Sequence, residues 1–127
     1  MRRDLNRVLI MGRLGVDPIR RESKNGVVWT TLSVATAVPT AAGAEPKTDW
    51  HRVIAWGKLA DICATYLKKG RTIFVEGSLR NSHYEDEGEK RVYKEIHADR
   101  ILFLGKSQTS GEPPTVDLPE ESLAAIS

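Results

Sequence analysis

The chain reads as a small all-β domain with one helix. Apolar residues alternate with a period of two over most of the first 104 residues, a single stretch after Gly57 switches to a period of 3.6, and beyond Lys106 the sequence turns polar and acidic. A length of 127 residues fits one such domain and a tail, and leaves no room for a second independent core. The expected division is a folded domain over 1–106 and a disordered acidic tail over 107–127.

The elements follow in order. Leu5 to Leu14 is rich in Val, Leu and Ile and ends on Gly15-Val16-Asp17-Pro18, which predicts a first strand and a break. Asn25-Gly26 is a turn signal that opens the β-branched run Val27 to Ala37, the second strand, with Val28, Thr30, Leu32 and Val34 on one face and Trp29, Thr31, Ser33 and Ala35 on the other. Pro39 to Lys47 holds two prolines and no periodicity, and reads as a loop. A third strand follows from Thr48 to Gly57. Leu59, Ile62, Cys63, Tyr66 and Leu67 then share a helical face, with Lys68 and Lys69 in the last turn and Gly70 as the stop. Arg71 to Leu79 is a fourth strand, Arg80 to Lys90 a polar hairpin arm turning near Gly88, and Arg91 to Leu104 the last strand. Five strands with a helix between the third and fourth is the layout of the OB-fold, a Greek-key barrel whose second and third strands and adjoining loops bind oligonucleotides or oligosaccharides.

The third strand is where function shows most. Alternation puts Trp50, Arg52, Ile54 and Trp56 on one side and His51, Val53 and Ala55 on the other. A large ring is ordinarily core material. Here Val53 and Ala55 already form a core pair on the opposite side, and a Trp-side core would bury Arg52. Two indoles with a cation between them are then a surface on which unpaired bases stack and phosphates pair. Charge distribution agrees: residues 1–106 hold all 19 Lys and Arg against 13 acids, whereas 107–127 hold four acids and no base.

Other chemistry is poorly supported. A catalytic reading would draw on Asp49, His51 and His97, or on His51 with Cys63, but Asp49 and His51 share a strand face without a nucleophile beside them, and Cys63 falls on the apolar face of the helix, where a small hydrophobe is expected. Three His and one Cys compose no metal site, and the acids Glu85, Asp86, Glu87 and Glu89 lack the spacing of a calcium loop. The chain is therefore expected to be non-enzymatic and to need no cofactor or metal. One cysteine permits no internal disulfide, and no apolar run approaches the roughly 20 residues that span a membrane, so a soluble cytoplasmic protein is expected.

Asn6-Arg7-Val8-Leu9-Ile10-Met11-Gly12-Arg13-Leu14-Gly15-Val16-Asp17-Pro18 resembles the opening strand and turn of the bacterial-type single-stranded DNA-binding proteins. Leu32-Ser33-Val34-Ala35-Thr36, Thr48-Asp49-Trp50-His51-Arg52-Val53, Gly57-Lys58-Leu59-Ala60, Tyr66-Leu67-Lys68-Lys69-Gly70 and Val75-Glu76-Gly77-Ser78-Leu79-Arg80 are similar to later segments of that family, colinear over residues 5 to 104. The resemblance implies an OB-fold that binds single-stranded DNA without sequence preference during replication, recombination and repair, with a nucleoid-associated location. By position it implies stacking on Trp50, Trp56 and Tyr84. Phosphate contacts are expected from Arg3, Arg21, Arg52, Lys58, Lys69 and Arg80.

The resemblance also implies a homotetramer, and an open strand edge at Val8 to Met11, framed by Arg2, Arg3 and Arg7, would need a partner. Two departures stand out. The first is that Thr40 lies near a position where the family often has another aromatic, while Trp29 is an aromatic away from the family's stacking positions, open to packing or a subunit contact; the second is at the end of the chain. The family's acidic C-terminal tip docks replication and repair proteins; Asp117, Leu118, Pro119, Glu120 and Glu121 look like a variant of it, without a terminal Pro-Phe. The rival function is an accessory OB module that helps to load a helicase or binds RNA and acts mainly through protein contacts; a third is a pure protein-interaction OB domain, with Trp50 and Trp56 as interface anchors.

Overall fold

A computed structural model describes residues 4–105. The elements are β1 (Val8–Leu14), β2 (Ile19–Glu22), β3 (Val28–Val38), β4 (Lys47–Trp56), α1 (Gly57–Tyr66), β5 (Thr72–Asp86) and β6 (Glu89–Leu104). The sheet order is β1-β5-β6-β4-β3-β2, and a further β1–β3 pairing closes β1, β3, β4, β5 and β6 into a five-stranded barrel. This is the OB-fold expected from the sequence, with α1 between the third and fourth barrel strands.

Closure depends on β1 serving two neighbours. Val8 to Arg13 ladder antiparallel to Gly77–Thr72 of β5, and Arg13 and Leu14 also pair with Ala35 and Val34 of β3. At the switch the backbones come so close that a Cβ on Gly12 would overlap the Ala35 carbonyl oxygen. A residue without a side chain is required there.

The core forms from the inward face of each strand. Leu14, Leu32, Val34, Val53, Ala55, Ile73, Val75, Ile96 and Ile101 are buried within it, and each large aliphatic contributes about 1.5–3 kcal/mol by leaving water. Helix α1 caps this core by packing Ala60 and Cys63 inward, against β3 and β4 and the flanking β2. Thr30 is the polar residue on that face, and it is satisfied: its Oγ1 donates to the Ala60 carbonyl at 2.7 Å.

The structure departs from the sequence reading at three places. Residues 19–22, which follow the break at Gly15–Pro18 and carry no strand expectation, form the short exposed strand β2, which pairs with Val28–Thr31 of β3. Their alternation is hidden because Ile19 is the one apolar residue among Arg20, Arg21 and Glu22. The hairpin arm expected at 80–90 is present and is strand along its length: Arg80–Asp86 pair with Glu95–Glu89 in register, turning at Glu87 and Gly88, both at positive φ. The helix ends at Tyr66, so Lys68 and Lys69 lie beyond it. Leu67 turns to extended backbone and buries its side chain in the core, and the linker is then fixed to β1 by Gly70 N–H to Leu14 C=O (2.8 Å) and Leu14 N–H to Arg71 C=O (3.0 Å). Finally Leu79, on the core-side alternation of β5, is 38% exposed, because it lies where the β5–β6 ribbon leaves the barrel. The expected tail, with Asp117, Leu118, Pro119, Glu120 and Glu121, lies outside the described residues, as do Arg2 and Arg3.

Burial pushes the Cys63 thiol up to about 12, from an ordinary value of about 8.5. The folded state keeps a proton that the unfolded chain releases, so stability falls as pH rises from about 9 towards 12. Urea melts at pH 8 and pH 10 should show this decline in the parent chain and a shallower one in Cys63→Ala; equal declines would mean that the thiol is not buried.

Candidate nucleic-acid interface

The β3–β4 ladder sets the site. Ten antiparallel pairs run from Trp29↔Trp56 to Val38↔Lys47, with Thr31↔Ile54, Ser33↔Arg52 and Ala35↔Trp50 between them on the side away from the core. Because directly opposed residues share a face, this side carries Trp29, Trp50, Arg52 and Trp56 together. Trp50 is 62% and Trp56 44% exposed, while Val53 and Ala55 behind them are fully buried. The surface reading of the two indoles holds. Ile54, expected to share the exposed face, is instead buried, at a central strand position with Thr31 of β3 as its backbone partner on one side and His97 of β6 on the other.

Two devices hold the rings. Trp50 lies over Gly15, where a Cβ would overlap the indole, so the turn after β1 forms a floor for the ring. Trp56 sits between Trp29, at 5.9 Å between ring centroids and 41° between planes, and His97, at 5.7 Å and 58°. Both pairs are in the tilted range that favours ring edges against faces. Trp56 is also the residue from which α1 starts, with Gly57 at φ 61° turning the chain into the helix.

The polar centre is a carboxylate that sequence reasoning passed over. Arg52 Nε donates to Glu95 Oε2 at 3.2 Å, and His97 Nε2 lies 2.9 Å from Glu95 Oε1. Glu95 is 9% exposed, and Arg80 lies opposite it in the β5–β6 ladder. A guanidinium has five N–H donors, so the Glu95 contact orients Arg52 while its half-exposed head keeps donors for another anion.

Of the expected phosphate-binding residues, the fold brings Arg21, Arg52 and Arg80 onto strands around the rings. Arg21 is exposed and lies directly opposite Trp29 in the β2–β3 ladder. Lys58 is exposed in the first turn of α1, two residues after Trp56. Lys69 lies off the ladder, in the linker after α1, where its backbone N–H donates to Asp17 Oδ1 at 2.8 Å. Tyr84 is in β5, with its backbone opposite Arg91. Sequence reasoning missed Glu95 and Tyr93 on this face, the latter 53% exposed on β6, and weighed His97 only as a catalytic candidate. Period-two alternation through 93, 95 and 97 of the expected last strand carried the signal, but not the strand these side chains would face. The catalytic combinations stay apart: the His51 ring meets Thr36 Oγ1 at 2.8 Å, while Cys63 is closed inside the core.

The single-strand binding protein family matches residues 5–104, nearly all of the described chain. The chain belongs to that family. It is 42% identical over 116 residues to single-stranded DNA-binding protein 1 of Chlorobaculum tepidum, covering 87% of this chain and 72% of that one. It is also 42% identical over 113 residues to single-stranded DNA-binding protein 1 of Xylella fastidiosa strain 9a5c, covering 85% and 83%. Among solved structures, a Plasmodium falciparum SSB in complex with ssDNA superposes with a TM-score of 0.74 at 28% identity, over 83% of this chain and 99% of that one. No described helix is long and apolar enough to cross a membrane.

The exposure of the two rings makes a direct expectation for stability. Trp50→Ala and Trp56→Ala should each shift the thermal midpoint by only a few degrees, equivalent to about 1 kcal/mol or less, because neither ring fills the core. Loss of cooperative melting in either variant would place that ring in the core.

Proposed function

We propose that the chain binds single-stranded DNA without sequence preference and protects it during replication, recombination and repair. The observation that carries this is the ladder face on which Trp50 and Trp56 stand exposed beside Arg21, Arg52 and Arg80, backed by membership of the single-strand binding protein family. Indole faces stack on any base and guanidinium groups pair with any phosphate, so the surface reads what every nucleotide shares. Nothing in that chemistry breaks or makes a covalent bond, and no cofactor or metal enters it. Trp50, Trp56 and Tyr84 act as stacking residues, and Arg21, Arg52, Lys58, Lys69 and Arg80, with Arg3, supply phosphate contacts. The cytoplasmic nucleoid is the compartment where such a protein meets its substrate.

Anisotropy of a labelled oligo(dT) tests the reading. Single strands should bind far more tightly than duplex of the same length, with a log-log salt slope of about −0.7 per ion pair. Trp50→Ala or Trp56→Ala should each cost roughly 1–3 kcal/mol of affinity. Equal affinity for duplex and single strand at matched salt, or Trp variants that bind like the parent, would contradict it.

A homotetramer is part of the same proposal. Along Val8–Gly12 the described residues pair β1 on its β5 side only, leaving the opposite edge open, and Leu9 and Met11 on its outer face are 52% and 61% exposed. Beside them Glu76, 3% exposed, is held on the outer face of β5 by Arg7 and Arg100. An open, apolar edge strand is an aggregation hazard unless another subunit covers it. Light scattering at micromolar concentration should give four times the mass of one chain; the mass of a single chain would overturn this part.

A further inference from the structure

We propose that Trp29 and Arg21 extend the base-stacking surface beyond β4, so that the bound strand crosses a transverse row formed by Arg21, Trp29, Trp56 and His97 as well as passing Trp50. This rests on the single-stranded DNA reading above and adds to it the direction in which the surface grows.

The row is fixed by register. Arg21 of β2 is the backbone partner of Trp29 of β3, and Trp29 is the partner of Trp56 of β4. His97 of β6 completes it, with its ring 5.7 Å from Trp56. Four neighbouring strands about 4.8 Å apart carry these four side chains over roughly 14 Å, on the side of the sheet away from the core. Trp29 does not belong to the core cluster, whereas Val28 packs against it and Thr30 is buried on the helix side of the same strand. The ring is half-buried and packs against Trp56. The 41° and 58° tilts mean that neither neighbour covers the other's face as a parallel stack would. Trp29 therefore keeps aromatic surface for a base, and the exposed Arg21 beside it supplies a cation for the adjoining phosphate. A packing role alone would explain the contact with Trp56, whereas the register also sets the phosphate-seeking Arg21 directly beside Trp29.

The test uses the full chain and a fluorescein-labelled oligo(dT) long enough to cover the site, with folding checked by circular dichroism. Trp29→Ala should weaken binding roughly fivefold or more, and Trp29→Phe should restore most of the loss, since a smaller ring still stacks. In a Trp50→Phe, Trp56→Phe double variant all indole emission comes from Trp29, and it should be quenched as anisotropy reports saturation with unlabelled oligo(dT) in competition. Parent-like affinity of Trp29→Ala overturns the proposal while leaving the DNA reading intact. Weakened binding by Trp29→Ala with unquenched Trp29 emission at saturation also overturns it, because Trp29 would then only support Trp56. Failure of the unsubstituted chain to bind oligo(dT) overturns both readings together.

Discussion

The pairing register of β3 with β4 is the constraint on which the rest of the molecule depends. In a strand the side chains alternate, so a slip by one residue exchanges every inward group for an outward one. With Leu32 opposite Val53 and Thr30 opposite Ala55, the barrel interior is filled; with Trp29 opposite Trp56 and Ala35 opposite Trp50, the aromatic face is built. These are two consequences of one ladder. Shifted by one place, β4 would drive two indoles and a guanidinium into a space sized for Val53 and Ala55, both fully buried, and overpacking together with a buried unpaired charge would destabilise the barrel by several kcal/mol.

Around that ladder the remaining elements act as supports. The close approach at Gly12 lets β1 pair on two sides and close the barrel, and Gly15 follows directly as the floor for Trp50. The chain that completes the core is thus also the chain that positions one of the exposed rings. On the opposite flank β6 runs parallel to β4 through Val53↔Ile96 and Ile54↔His97, which sets Glu95 beside Arg52. A carboxylate on a cationic surface lowers its total attraction for phosphate, yet a charge-assisted hydrogen bond to one nitrogen limits the positions of a long, flexible side chain. The surface accepts less charge in return for a more fixed arrangement of donors.

The barrel and its aromatic face were legible in the sequence because the informative residues obey simple periods. Val53 and Ala55 against Trp50 and Trp56 is a period of two within one strand, and Ile73 with Val75 repeats it. Where the fold escaped, the signal was non-local or diluted. In β2 three charged residues surround Ile19, and the strand exists only because β3 offers it an edge. The polar β5–β6 ribbon was legible as a hairpin arm from its turn near Gly88, but not as continuous strand, because polar residues on both faces cancel alternation and the ladder that holds it is backbone pairing that composition does not reveal. Helix α1 ends early because Leu67 is drawn into the core, a tertiary effect that outweighs the stop signal at Gly70. Glu95, and His97 as a neighbour of Trp56, were passed over for the same reason: their value comes from Arg52 and Trp56 on another strand, more than 40 residues away in sequence.

The division of the ladder into a core side and a binding side can be observed directly by NMR. With tryptophan indoles labelled with 15N and valine methyls with 13C, addition of oligo(dT) should move or broaden the Trp50 and Trp56 indole signals while the Val34 and Val53 methyl signals keep their positions. Movement of the valine methyls with unchanged indoles would contradict the account, because it would place the bound strand's effects on the core and leave the exposed rings unused.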